Sequence, residues 1–279
     1  MTIATLSQVL EPANVGGYSV PGLVCLGWED TRAYVAAAEA ESAPVILQAG
    51  KLCRAHTPLS VLAAMFRTLA EGTDVQVVAH LDHGHSLDEC RQALDCGFTS
   101  VMYDGSRLPL LENIVKTAEV ANLAKGVGAS CEGEIGSVGY PQGAASATTV
   151  PEEAAQFAQE TGVDAMAVSV GNIHLQIRPG TPLDLARIRA IEALTEVPLV
   201  VHGGSGLTVS DRQNLSMTTR VAKINIGTEL RMAFGQALRN AIAADPSRFD
   251  RIEILQAVQE PLTAAARQVF RQLGASGRA

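Results

Sequence analysis

Three histidines, His83, His174 and His202, each stand just past an apolar run, in the segments VQVVAHLDHG, DAMAVSVGNIH and VPLVVHGGSG. Neutral imidazoles gathered from the ends of adjacent strands form a donor set for a zinc-type ion that leaves one coordination position open. Asp82 precedes the first of them and a glycine-rich turn follows the last. A metal, a proton-transfer group and an anion cradle are therefore expected within reach of one another.

The segment HLDHGHS places three histidines and an acid directly after VQVV. In a regular strand the side chains alternate, so His80 and Asp82 share one face and His83 takes the other. Asp82 and His83 can serve one centre only where the strand ends and turns. His80 and His85 are read as hydrogen-bonding neighbours of a ligand, and His56, in HTPLS, as a surface residue. The position of Asp82 fits coordination, orientation of an imidazole or proton transfer, and does not by itself choose among them. Asp104 in VMYDGS, and Glu132 and Glu134 in CEGEIG, are expected to close the fourth and fifth strands at the same rim. There they would supply outer contacts, an alternative metal position or contacts to substrate hydroxyls.

HGGSG and NIGT each precede a helix start, so backbone N–H groups with the Ser205 and Thr228 hydroxyls can cradle a phosphate. Of the four lysines, Lys51, Lys116, Lys125 and Lys223, only Lys223 lies within a late strand. It shares a face with Val221 and Asn225 and can point inward. Schiff-base chemistry would need such a buried amine, but the histidine set makes metal activation the simpler reading.

The elements that must hold these residues alternate from end to end. Short β-type runs are expected at roughly 18–25, 44–49, 75–82, 99–104, 126–132, 165–170, 198–202 and 221–226. Between them lie segments such as DTRAYVAAAEAE and PEEAAQFAQETG, apolar at three- and four-residue spacing as amphipathic helices are. Near-continuous apolar strands separated by helices imply parallel pairing with both faces covered. Eight such units fit a closed (β/α)8 TIM barrel, an α/β fold, as a single domain over 1–279, with a doubly wound sheet as the alternative. The polar residues gather at the C-terminal ends of the runs, where barrel enzymes place their chemistry. The segment 136–150 is expected to be a mobile loop covering the mouth.

The chain has 279 residues, 47% of them hydrophobic, and a net charge of −8 with no basic block, which argues against nucleic-acid binding. Five scattered cysteines without a CxxC pair point away from disulfides and cysteine-held zinc. No apolar run suggests a leader or a membrane span, so a cytoplasmic protein is expected.

At these motifs the sequence resembles the class II, metal-dependent fructose-bisphosphate and tagatose-bisphosphate aldolases. The likeness runs from YSVPG and PVILQAG through HLDHG, VMYDGS, EGEIG, TGVDAMAVSVG, VVHGGSG and KINIGTEL to FRQLGASGRA. The resemblance implies that His83, His174 and His202 bind catalytic Zn2+, or another divalent metal, and that Asp82 is the acid/base. It places Gly203, Gly204, Ser205, Asn225, Gly227 and Thr228 on the phosphate and hydroxyls of the ketone half. Asp104 and Glu134 match acids near an alternative metal position. The implied reaction is reversible aldol cleavage of a ketose phosphate to dihydroxyacetone phosphate, or a close analogue, and an aldehyde. A monovalent cation and a homodimer or homotetramer are further implications. A sugar-phosphate isomerase or epimerase on the same barrel, or a non-catalytic sugar-phosphate-binding subunit, are the alternatives.

The chain departs from the family pattern at four places. Val24 stands for an asparagine expected to contact substrate, and Leu175 for a glycine that helps bind phosphate and a monovalent cation. Gly50 lies near a usual phosphate-contacting serine. In the lid, GYPQG replaces an acidic run, and Gln142 cannot act as a base. Arg178 is read as exposed, with an anion contact as the alternative.

Overall fold

The computed structural model describes residues 2–141, 143, 145–180 and 182–279, so Gln142 lies outside the described residues. The strands are β1 Ile3–Ala4, β2 Val20–Val24, β3 Val45–Ala49, β4 Val77–Gly84, β5 Ser100–Tyr103, β6 Ser130–Ile135, β7 Ala165–Val168, β8 Leu199–Val201 and β9 Val221–Ile226. All their pairings are parallel. Strands β2 to β9 pair in sequence order, and β9 closes onto β2, giving the expected (β/α)8 barrel. The short β1, which the apolar pattern does not reveal, pairs with the start of β4, Ile3 opposite Val77.

The barrel strands are almost wholly buried, because helices cover their outer face and side chains fill the inside. Helix ends are fixed locally. The Ser86 and Asp184 side chains accept from the first-turn N–H groups of Glu89 and Arg187, and left-handed Gly97 and Gly162 stop two helices. One expected boundary moves. The helix Leu110–Gly126 runs on and turns at Gly128, whose φ is +74°, so β6 begins at Ser130 rather than near 126. Among the described residues no helix is long and apolar enough to cross a membrane.

The interior is not purely apolar. His80 on β4, Glu132 on β6 and Lys223 on β9 are fully buried, and Asp82, Glu134 and Asn225 follow two residues later on the same strands. The period-two alternation of strands stacks these six in two inward-facing layers, the upper one at the C-terminal mouth.

Glu41 ends the helix Trp28–Glu41 and clamps the helix Arg251–Gln272. Its carboxylate accepts from Arg267 at 2.8 Å, Arg271 at 2.8 Å and Ser276 at 2.8 Å. The Arg271 hydrogen bond is the main cause that holds this carboxyl at about 2, below its usual 4.5. A depressed folded-state value means stabilisation that is present above about 4.5 and lost as the pH falls through about 2. Thermal melts of wild type and Glu41→Gln should therefore differ at neutral pH, with the variant less stable. The gap should narrow below about pH 4.5 and close near pH 2.

Candidate metal centre and active site

The end of β4 resolves the conflict between alternation and a shared centre. Leu81 pairs with Val101 and Gly84 with Tyr103, with a register shift between them, and His83 adopts φ +55°. A bulge with a left-handed residue turns the next side chain back toward the face it would leave. Asp82 and His83 therefore both reach the mouth.

His83, His174 and His202 bring one donor atom each within 4.8 Å of one another. Each ring is oriented from behind. His83 Nδ1 lies 2.8 Å from Asp104 Oδ2, and Asp104 Oδ1 accepts from the Ser106 hydroxyl at 2.7 Å. His202 Nε2 lies 3.1 Å from Glu132 Oε1, while Lys223 Nζ donates to Glu132 Oε2 at 2.6 Å. The His174 ring is stacked by Tyr140, centroids 5.0 Å apart, and its backbone N–H donates to Gly139 O at 2.9 Å. Asn172 donates to His202 O at 3.0 Å, tying together the two loops that bear His174 and His202. Gly203, with φ +69°, lets this loop approach so closely that a Cβ would lie 2.2 Å from Ile173 O.

The residues fit a cation. His202 Nδ1 and Glu134 Oε2 are buried, have no hydrogen-bond partner among the described residues and lie 3.7 Å apart. Buried polar atoms in that condition are costly unless a ligand satisfies them. A second donor group, His83, Asp104 and Glu134, overlaps the first through His83. The electrostatics agree. Burial, then the neighbouring His202, drive His174 down to about 3, and burial also holds His202 well below its usual value, so both imidazoles are neutral donors. Burial opposes the charging of His83, yet Asp82, Asp104 and Glu134 together raise it to about 10. Burial and Asp104 push Glu134 up to about 8. Burial also disfavours the Asp82 carboxylate, but His83, His202 and Lys223 outweigh it and lower its pKa.

Asp82, His83, Asp104, Glu134 and His174 open on a cavity of about 690 Å3 lined also by Gly203, Ser205, Asn225, Gly227 and Thr228. Gly204 lies beneath it, against Ile224 and Ile226. Ser205 Oγ accepts from Glu229 N at 3.2 Å, and the buried Asn225 Oδ1 has no partner among the described residues. Glu132 corrects one expectation. It does not reach the rim but sits inside the barrel, because the later start of β6 makes it a mid-strand residue. Lys223 points inward as expected, and its amine is paired with Glu132. His80 stays in the lower layer, 2.8 Å from Ser100 Oγ, and His56 is exposed. His85 lines the cavity half-exposed, 3.9 Å from Asp104. Arg178 is exposed on a neighbouring groove. Gln48, which donates to Asp82 Oδ1 at 2.8 Å, and Tyr140 and Asn172 escaped sequence reading; none is a charged residue at a strand end.

The model of the class-II fructose-bisphosphate aldolase family matches residues 4–278. The chain belongs to this family. It is 34% identical over 286 residues to the fructose-bisphosphate aldolase of Geobacillus stearothermophilus, covering 100% of this chain and 99% of that one. It superimposes on the YdjI aldolase of Escherichia coli K12 with a TM-score of 0.87 at 28% identity, over 99% of both chains. The fructose-bisphosphate aldolase of Campylobacter jejuni, at 20% identity over 99% of this chain and 97% of that one, shares the fold with a TM-score of 0.83. The protein is accordingly an enzyme, a carbon–carbon lyase, of a family that is in general zinc-dependent.

Against the family pattern, Leu175 keeps a glycine's backbone without a glycine's freedom. Its φ is +54°, and its side chain stands half-exposed between the cavity and the neighbouring groove. A non-glycine residue there costs roughly 1–2 kcal/mol, whereas glycine costs about 0.5–1 kcal/mol in chain entropy. Leu175→Gly should therefore leave unfolding free energy unchanged or raise it by up to about 1.5 kcal/mol, read from urea denaturation of the metal-free protein. A marked loss would show that the leucine side chain holds the turn.

Proposed function

We propose that this aldolase cleaves and forms a carbon–carbon bond of a ketose phosphate, with dihydroxyacetone phosphate or a close analogue as the ketone half. The observation that supports this most directly is the position of Asp82. One carboxylate oxygen is held by Gln48, and the other lies on the cavity wall beside Gly50, where the missing side chain leaves it room, since a Cβ there would press on it at 3.3 Å. An oriented, ionised acid with one oxygen open to the cavity suits proton exchange with a substrate hydroxyl.

His83, His174 and His202 would hold a divalent ion, zinc by family habit, with Asp104 and Glu134 as the alternative donors beside it. When bound, such an ion supplies Lewis acidity toward the ketone oxygen and its neighbouring hydroxyl, where negative charge develops as the bond breaks. Asp82 takes the proton from the hydroxyl of the departing aldehyde half and returns it in the reverse direction. Gly203 and Ser205, with Gly227 and Thr228 at a helix start, offer N–H and hydroxyl donors to a phosphate. Lys51, Arg107 and Arg231 line the same cavity in a chain whose net charge is −8, which supports an anionic substrate. The segment 136–150 would cover the mouth, with Tyr140 over His174.

Val24 and Leu175 put apolar side chains on the cavity wall where the family pattern has an asparagine and a glycine. They support a substrate whose non-reacting groups differ from those of the ordinary bisphosphate.

The test is a cleavage assay against ketose 1-phosphates, ketose 1,6-bisphosphates and unphosphorylated ketoses. Turnover should vanish with chelator and return with zinc. Asp82→Ala should retain zinc and lose about 10²–10⁴-fold in kcat. Turnover that persists in Asp82→Ala would refute the role of this acid. Zinc uptake with no cleavage across the panel would favour a non-cleaving reaction.

A further inference from the structure

The carbonyls of Asp82 and His83 have lost the neighbours a strand provides. Pairing of β4 with β3 ends at Leu81 opposite Ala49, and pairing with β5 skips from Leu81 to Gly84. A buried carbonyl left in that state needs another donor. One side chain supplies it. Arg54, in the short helix Lys51–His56, donates through Nη1 to Asp82 O at 2.7 Å and to Ala49 O at 2.7 Å. Through Nη2 it donates to His83 O at 3.1 Å and to Glu89 Oε1 at 2.6 Å. Its side chain is only 7% exposed. Glu89 in turn accepts from His85 N at 2.9 Å, so the guanidinium joins the ends of β3 and β4 to the turn and helix that follow β4.

We propose that Arg54 is a positioning residue that holds the interrupted end of β4 by the carbonyls of Asp82 and His83, so that these two side chains face one centre. The inference rests on the roles given above to those two residues. A left-handed conformation at a non-glycine residue is costly and persists only when its surroundings over-determine it. The planar guanidinium, with donors fixed in a fork, can meet several carbonyls at set angles. An ammonium at the same place keeps the charge and the pairing with Glu89 but not the fork.

The test compares Arg54→Ala, Arg54→Met and Arg54→Lys with wild type for zinc affinity by chelator competition, for kcat and KM, and for thermal midpoint. Zinc affinity should fall about 10–100-fold in the alanine and methionine variants, the size of effect seen when support behind a ligand is removed. The kcat should fall with it while KM changes by less than about threefold. Arg54→Lys should recover the thermal midpoint but not the zinc affinity. Added guanidinium ion, and not methylammonium, should restore zinc affinity to Arg54→Ala. Folded Arg54→Met with zinc affinity and kcat within about threefold of wild type would overturn the inference. If the alanine and methionine variants do not fold, Arg54→Lys decides, and wild-type zinc affinity and kcat in it would overturn the inference as well. Asp82→Ala, assayed alongside, separates the two readings. Persistent turnover there removes the role of Asp82, while zinc titration of the Arg54 variants still judges Arg54.

Discussion

The active end of this barrel depends on an interruption of one strand ladder. A β-strand presents successive side chains to opposite faces, yet the proposed acid and the proposed ligand are neighbours, Asp82 and His83. Between Leu81 and Gly84 the pairing with β5 shifts register, and His83 enters the left-handed region. The acid stays in the inward-facing series with His80, while the imidazole is turned to join it. Without the break, one of the two would face the helical shell.

Below the three imidazoles lies a second constraint. Glu132, Lys223 and His80 are fully buried charged or ionisable groups in the middle of the barrel. Burial of such groups is tolerated when each finds a partner. Glu132 uses one oxygen on Lys223 and the other on His202 Nε2, which leaves Nδ1 as the free nitrogen of that ring. Asp104 does the corresponding work at His83 from the neighbouring strand end. The orientation of the imidazoles is thus set from inside the barrel and from its rim together.

Much of this was legible in the chain because strand ends announce themselves. An apolar run that stops at a polar residue marks the C-terminal rim of a barrel, and the positions of His83, His202 and Asp104 follow from that. Alternation alone placed Lys223 inside. The same reasoning misplaced Glu132, because the glycines around Val127 blur the end of one helix and the start of β6. Gln48, Asn172, Tyr140 and Arg54 had no such signal. Their roles come from neighbours distant in sequence; Arg54 sits on a six-residue helix that shows no periodicity. The backbone at Leu175 was equally hidden, since a leucine in sequence gives no hint of a positive φ.

The segment after β6 is joined to the loop that bears His174. Gly139 O receives the backbone N–H of His174, Tyr140 stacks on that histidine's ring, and Ser137 pairs with Ala147 across the base of the loop. Displacing Tyr140 far from the mouth therefore disturbs the backbone that aims one of the three imidazoles. The place of Tyr140 at the cavity wall and the aim of the His174 ring are thus fixed by the same few contacts, so a change in one is felt by the other.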